Sequence, residues 1–455
     1  MKILGIDIGS SFLKAAVIDL DRACICEESK EKAPQKNIYS DPYLFEVPAV
    51  CYTRYLTHVL DEMAAKYQDL NGVLLSTQMH GFIYSSDGRE DTYISWQDMR
   101  CLHQNADGIS YLELLKKRFP KESMDVSGVY LKPALGFANL YTLLDENPDI
   151  SRSGTLYTLG SYLIHHLTGN NICHASNAGP LGLLNVKEHC WNTELVQRLG
   201  FNQIRLPELV EGDYDCCGFY RTAGRDIAVF PDYGDQQVAV VGSLPRKGEG
   251  LINIATASQV GMLSEHFQTG DYEIRPYFEN VYLLTISNMP AGRGLDVLIH
   301  FLRDVAYRMT GADISIAETW KRVEKDFIQD SKGLRVDMTF YETADNTAGG
   351  SISGIHPSNF NVHTLISAAF QDMADTYKKN LMILSGGKDL PSVVCSGGVS
   401  WKQPALRAVI EQTMGCECRL SALEDEVVSG MYRIGLCCMK KSGSIFDEPD
   451  RILQV

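Results

Sequence analysis

Two short hairpins constrain this chain more than any other feature. The first is LGIDIGSSFLKAAVIDLD, residues 4–21. Leu4, Ile6 and Ile8 alternate with other residue types as in a strand. Gly9, Ser10 and Ser11 form a tight polar turn, and Leu13 to Ile18 reads as the returning strand. Asp7 interrupts the first apolar strand, where a carboxylate costs burial energy unless a cation or a donor meets it. The turn offers backbone N–H groups and two hydroxyls, a concavity suited to an anion. By itself the stretch suits a metal-bound phosphate and an ordinary hairpin equally well. The pattern returns in GLINIATASQVGML, residues 250–263, with Thr256, Ala257 and Ser258 at the turn. Two such hairpins, each opening a long half of the chain, imply a duplicated α/β fold with a nucleotide between the halves.

The length of 455 residues suits two or three domains. A net charge of −15, from 42 basic and 57 acidic residues, argues against a nucleic-acid or anionic-membrane partner. No apolar run approaches the roughly 20 residues of a membrane span. The N-terminus enters a strand at once, and the thirteen cysteines include no Cys-x-x-Cys pair. Reduced thiols and a cytoplasmic location are therefore expected.

Further along, Tyr52 to Tyr67 has helical spacing, with Leu56, Val59, Leu60 and Met63 on one side. Val73 to Leu75 reads as a buried strand that ends in Gln78-Met79-His80-Gly81. Ligand sites of open α/β sheets lie at such carboxyl ends, although His80 alone could be a structural histidine. Trp96-Gln97-Asp98-Met99-Arg100 offers a flat apolar face, a carboxylate acceptor and a guanidinium donor. It also reads as a helix start with a capping Asp98 and a local ion pair. Residues 102–170 read as mainly helical. Gly234-Asp235-Gln236-Gln237 leads into the apolar run Val238 to Val241, where Asp235 could cap the helix or carry chemistry. Asp232 is the alternative acid. Gly242 to Gly250, with Pro245, Lys247, Gly248 and Gly250, is the best boundary, dividing the chain into 1–243 and 244–455. Gly292 starts a long helix after a strand, and Gly397-Gly398 ends another strand.

These strings, in this order, resemble the FGGY carbohydrate kinases of the actin–hexokinase–heat-shock superfamily, over essentially the whole chain. The resemblance implies two RNase H-like α/β domains with a catalytic cleft between them, ATP and Mg²⁺ as cofactors, and a small-molecule sugar as partner. It leaves a homodimer open. It implies Asp235 as the base that takes the sugar hydroxyl proton. Sugar binding would fall to Gln78, Met79, His80, Gly81, Trp96, Asp98, Arg100 and Gln236. Asp7 would hold the metal. Gly9, Ser10, Ser11, Lys14, Thr256, Ala257, Ser258, Gly292, Gly397 and Gly398 would hold the nucleotide. Gln78 to Gly81 is similar to the string in kinases for xylulose and sedoheptulose. The Trp96 to Cys101 and Tyr277-Phe278 segments look most like the sedoheptulose branch, with xylulose second. Asn139 and Leu143 stand where the family has Lys and Trp. A catalytically silent nucleotide-binding regulator is the alternative from another class; it would lack the base.

Overall fold

The computed structural model describes residues 1–325, 327, 329–341, 349–447, 451, 453 and 454. Two six-stranded sheets carry the chain. In the first, Lys2–Ile8, Phe12–Asp19 and Cys24–Lys32 form an antiparallel meander. Leu70–Thr77 then adds parallel to Lys2–Ile8, and Arg225–Gly234 adds parallel to Leu70–Thr77. In the second, Gly250–Ile254, Ser258–Ser264 and Tyr282–Met289 repeat the meander. Ser392–Ser396 and Glu417–Leu420 repeat the two parallel additions. Numbered along the chain, both sheets share the order 3-2-1-4-5, with one extra edge strand each, Gly218–Thr222 and Glu273–Pro276. This duplicated arrangement is the actin/hexokinase-type fold.

Each sheet is covered by helices whose apolar faces follow the 3.6-residue period. Helix Ala49–Lys66 buries Tyr52, Leu56, Val59, Leu60 and Met63 on the first sheet. Helix Val362–Leu384 does the same on the second. Its start is fixed by a capping box in which Asn361 accepts from the Thr364 N–H and Thr364 returns the bond. A smaller four-stranded sheet, ordered Glu46–Pro48, Thr92–Ile94, Phe82–Ser85 and Thr155–Tyr157, rises from the first half. It packs with helices Tyr111–Arg118 and Gly136–Glu146 around Phe82, Phe137 and Phe201. The expected helical stretch 102–170 is thus interrupted by the strand Thr155–Tyr157, and the helix expected from Tyr157 begins at Leu159. Tyr157 pairs with Ile83 across the small sheet, a long-range contact that overrides the local period.

The halves meet through helices Asp235–Ser243 and Glu426–Cys438. A Cβ on Gly242 would lie 1.8 Å from the Glu426 carbonyl, and one on Gly430 would lie 2.0 Å from that of Val238. Only glycine permits backbones to approach so closely. Around this crossing Ile3, Leu74, Phe230, Val238, Leu251, Val394 and Met431 form one apolar cluster drawn from both sheets. The cluster fixes where the strand ends of one half stand relative to those of the other.

Candidate active site

Three parallel neighbours of the first sheet end together. Asp7 lies opposite Ser76, and Ser76 opposite Tyr233. Just beyond these ends come Gly9–Ser11, Gln78–Gly81 and Asp235, so the loops expected to carry chemistry share one rim. Ser76 Oγ donates to Asp7 Oδ1 at 2.9 Å. Burial first, and then the charge of Asp235, push the Asp7 carboxyl up to about 7, against the pull of Lys14. Lys14 faces Asp7 across the hairpin and reaches over to Asp425 of the second half at 2.7 Å.

Asp235 is the first residue of helix Asp235–Ser243, and Gly234 holds the cap position with no side-chain capping bond. The capping alternative is therefore not what the side chain does. Asp235 Oδ1 accepts from the Gln236 N–H at 2.8 Å. Burial pushes this carboxyl up to about 6, opposed by the N–H of Gln236 and by the Arg275 charge. Asp232 is ruled out as an accessible acid. It is fully buried, accepting from Thr158 Oγ1 at 2.7 Å and from the His174 N–H at 2.8 Å.

The Gln78–Gly81 loop folds against this rim. The Gln78 N–H bonds to the Ile8 carbonyl at 3.2 Å. Met79 is buried against Gly234, where a Cβ would come within 2.6 Å of its sulfur. Gly81 lies so close to Tyr93 that a Cβ would meet its hydroxyl at 2.2 Å. His80 takes a left-handed backbone, φ 66°. Burial, Lys132 and Arg275 lower its imidazole to about 3, so it is neutral at pH 7. Trp96 is exposed at this edge.

Asp98, expected as a sugar ligand, is instead paired with Arg100 inside the protein. Asp98 has no exposed surface. Its Oδ1 accepts from the Arg100 N–H at 3.0 Å and Nε at 2.8 Å. Its Oδ2 accepts from the Phe45 N–H at 2.8 Å and Arg100 Nη2 at 2.8 Å. Arg100 Nη2 also meets Glu46 at 2.6 Å. The Asp98 carboxylate is thus saturated inside the protein and has no lone pair left for a hydroxyl. Asn139, at a position where the sequence departs from the family pattern, ties the segment down. It donates to the Asp98 carbonyl at 2.8 Å and accepts from the Cys101 N–H at 3.2 Å. Breaking a buried pair of this kind costs about 3–5 kcal/mol. Asp98→Ala should therefore lower the thermal midpoint sharply, whereas a ligand role would raise a sugar KM with stability intact; scanning calorimetry separates the two.

Gln236 is also committed internally. Its Nε2 donates to Gln259 at 2.9 Å and to Thr285 at 3.2 Å, and its Oε1 accepts from Arg275. All three partners belong to the second sheet. The amide thus ties the start of the Asp235 helix to the other half.

Of the residues expected to hold the nucleotide, Ser10, Ser11, Thr256 and Ala257 are exposed at their turns. Ser258 is not: its hydroxyl donates to the Met289 and Pro290 carbonyls at 3.2 and 2.9 Å. The Gly292 N–H is likewise taken, by the Ala255 carbonyl at 3.0 Å, which fastens helix Gly292–Thr310 to the second turn. Gly397 has φ 83°, and a Cβ there would lie 2.5 Å from the Ile254 carbonyl. Gly398 has open space around its Cα and begins the short helix Gly398–Lys402, which precedes the expected helix at Pro404. Beside these turns opens a cavity of about 1270 Å³, lined among others by Gly292, Leu295, Trp320, Val399 and Gln403. Among the described residues no three His, Cys, Asp or Glu side chains converge as a metal cage. Asp7, a half-buried carboxyl raised by burial and by the Asp235 charge, suits a cation that keeps most of its own waters and phosphate ligands.

Sequence reasoning missed Arg275, Glu273 and Lys132. Arg275 donates to Glu273 at 2.7 Å, and Lys132 pairs with the other Glu273 oxygen. The two cations hold the Glu273 carboxyl well below its usual range despite burial. Arg275 was visible only as part of the Arg275-Pro276-Tyr277-Phe278 string, with nothing local to say what it touches.

A duplicated sheet pair with an acidic strand end beside exposed polar turns defines the actin/hexokinase class of fold. Residues 2–242 match the N-terminal domain of the FGGY family of carbohydrate kinases, and the chain belongs to that family. It is 23% identical over 340 residues to mouse sedoheptulokinase, covering 66% of this chain and 68% of that one. It is 25% identical over 291 residues to a xylulose kinase of Lactococcus lactis, covering 61% of this chain and 56% of that relative's length. The fold superposes on the ligand-bound xylulose kinase of Lactobacillus acidophilus with a TM-score of 0.84, at 16% identity, over 99% of this chain and 93% of that one. Among the described residues no helix is long and apolar enough to cross a membrane.

Proposed function

We propose that the chain transfers the terminal phosphoryl group of ATP to a primary hydroxyl of a ketose, with sedoheptulose the preferred sugar and xylulose second. The observation that carries this reading is the placement of Asp235. A carboxylate raised to about 6 stands at a helix start on the shared rim, within electrostatic reach of Asp7. A base of that strength is ionised at neutral pH yet basic enough to take a hydroxyl proton as the bond to phosphorus forms. His80 and Met79 border the sugar end, and Trp96 offers an apolar edge to C–H groups. Asp7 would hold Mg²⁺, which supplies charge neutralisation for the transferring phosphates when bound. The Gly9–Ser11 and Ala255–Ala257 turns would receive the phosphates, and the cavity beside Gly292 and Val399 the adenosine. Residues 1–243 and 244–455 would act as the two closing units, excluding water from the transfer.

Selectivity follows from polar pairing. A sugar hydroxyl missing from the ligand leaves a buried partner unsatisfied, at about 1–3 kcal/mol, or roughly fivefold to a hundredfold in kcat/KM. The test is kcat/KM for sedoheptulose, D-xylulose, L-ribulose, gluconate and glycerol under one set of conditions. Sedoheptulose should lead D-xylulose by that order, with glycerol far behind. If D-xylulose leads, the choice of sugar is wrong. If ATP binds and none is phosphorylated, the chain is a silent regulator.

A further inference from the structure

Beside the end of strand Arg225–Gly234 lies a buried imidazole, His174, with a hydrogen bond on each ring nitrogen. It caps the short helix Ala175–Ala178, its Nδ1 accepting from the Ser176 N–H at 3.1 Å. A nitrogen that accepts a backbone N–H carries a lone pair, so the ring proton resides on Nε2. Nε2 faces Asp213 Oδ1 at 3.0 Å. Burial pushes the Asp213 carboxyl up, but the His174 ring and the Glu279 N–H outweigh it and hold the group below its usual range. Asp213 thus accepts on both oxygens: Oδ1 from the ring, and Oδ2 from the Glu279 N–H of the second half.

The Ser176 hydroxyl is committed on both sides. Its Oγ accepts from the Gly234 N–H at 3.0 Å. Its own proton then goes to His174 Nδ1, 2.7 Å away. One directed chain results, from Gly234 N–H through Ser176 and His174 to Asp213, with the Glu279 N–H closing on the same carboxylate. Bonds in such a chain polarise one another, and a buried donor that loses its acceptor there is costly. Ser176 and His174 have no exposed surface, so this Ser-His-Asp order presents no nucleophile to a substrate. The ring also packs against Tyr233 and against Phe278 of the second half, with centroids 5.0 and 5.2 Å apart.

The chain holds the peptide on which Asp235 stands. Gly234 is the cap residue of helix Asp235–Ser243 and has no side chain with which to fix itself. Asn177 steadies the same strand end, donating to the Asp232 carbonyl at 3.1 Å and to Thr77 Oγ1 at 3.0 Å. We infer that Ser176, His174 and Asp213 are positioning residues that fix the Gly234–Asp235 backbone, and with it the carboxylate proposed as the base, from a contact with the second half. The inference rests on the kinase reading for the role of Asp235, and on the hydrogen bonds alone for the chain.

Ser176→Ala removes the acceptor of the Gly234 N–H, and Ser176→Thr keeps it. In the full-length protein Ser176→Ala should lower kcat about fivefold to a hundredfold, with the KM for sugar and for ATP each within about twofold of wild type. Ser176→Thr should recover most of that loss. A group that served packing alone would lower the thermal midpoint and leave kcat intact. Asp213→Asn, which cannot accept from both the ring and the Glu279 N–H, tests the far end and should show the same split between kcat and KM. Hydrogen exchange of the Gly234 amide, followed by NMR, reads the chain without turnover. It should be slow in wild type and in Ser176→Thr, and about tenfold faster or more in Ser176→Ala. Wild-type kcat in Ser176→Ala, a loss that Ser176→Thr does not recover, or unchanged Gly234 exchange in Ser176→Ala overturns the inference. If the amide behaves as expected and wild type phosphorylates no sugar, the kinase reading fails and the chain that holds Asp235 stands.

Discussion

Asp235→Asn should lower kcat by about 10²–10⁴-fold, the range a positioned general base contributes, while sugar and nucleotide still bind. Asparagine keeps the shape of the side chain and an Oδ1 that can still accept from the Gln236 N–H at the start of the helix. Calorimetric titration should therefore return dissociation constants within a few-fold of wild type. The pH dependence has a definite sign. Burial raises the carboxyl to about 6, and only its ionised form accepts a proton. In wild type kcat/KM should fall about tenfold per pH unit below that value and level off above it. Residual activity in Asp235→Asn within a few-fold of wild type, with folding verified, would remove Asp235 from the chemistry.

Asp7→Asn should separate stability from turnover. The folded-state carboxyl is raised to about 7 from an ordinary 3.8, chiefly by burial and next by Asp235. Between those values the folded chain binds a proton that the unfolded chain has released. The favourable contribution of protonated Asp7 is complete below about pH 4 and is lost as pH rises through 7. At pH 8 the ionised group opposes folding, and a neutral amide removes that opposition. We expect Asp7→Asn to stabilise the metal-free protein at pH 8 by on the order of 1–2 kcal/mol, with little change at pH 4. In the same variant turnover should fall at least about a hundredfold, and added Mg²⁺ should no longer raise the thermal midpoint. Equal destabilisation at both pH values would show that Asp7 serves packing instead.

Local signals carried much of the architecture. Both hairpins declare themselves through alternation and a small polar turn, features that depend on a few neighbouring residues. The helices Ala49–Lys66 and Val362–Leu384 show their periods for the same reason. What the chain does not declare locally is where a polar side chain spends its hydrogen bonds. Asp98 and Arg100 are two residues apart, yet Glu46, which completes their network, lies 54 positions from Arg100. Gln236 stands beside the base but is consumed by Gln259, Thr285 and Arg275, which arrive 23, 49 and 39 positions later. Arg275 meets His80 across 195 positions. Ser258 sits at its turn as expected, but the strand Tyr282–Met289 and the following Pro290 claim its hydroxyl. Each of these is a tertiary decision, made within one half for Asp98 and Ser258 and between the two sheets for Gln236 and Arg275.

Phosphoryl transfer itself is tested most directly by ³¹P NMR of wild-type protein with ATP, Mg²⁺ and sedoheptulose. One phosphomonoester resonance should grow in step with ADP as ATP declines, and neither should form with Asp235→Asn on the same time scale. Release of inorganic phosphate in place of the monoester, or ATP left unchanged with sedoheptulose, D-xylulose and every other sugar tried, would contradict a ketose kinase built on Asp235.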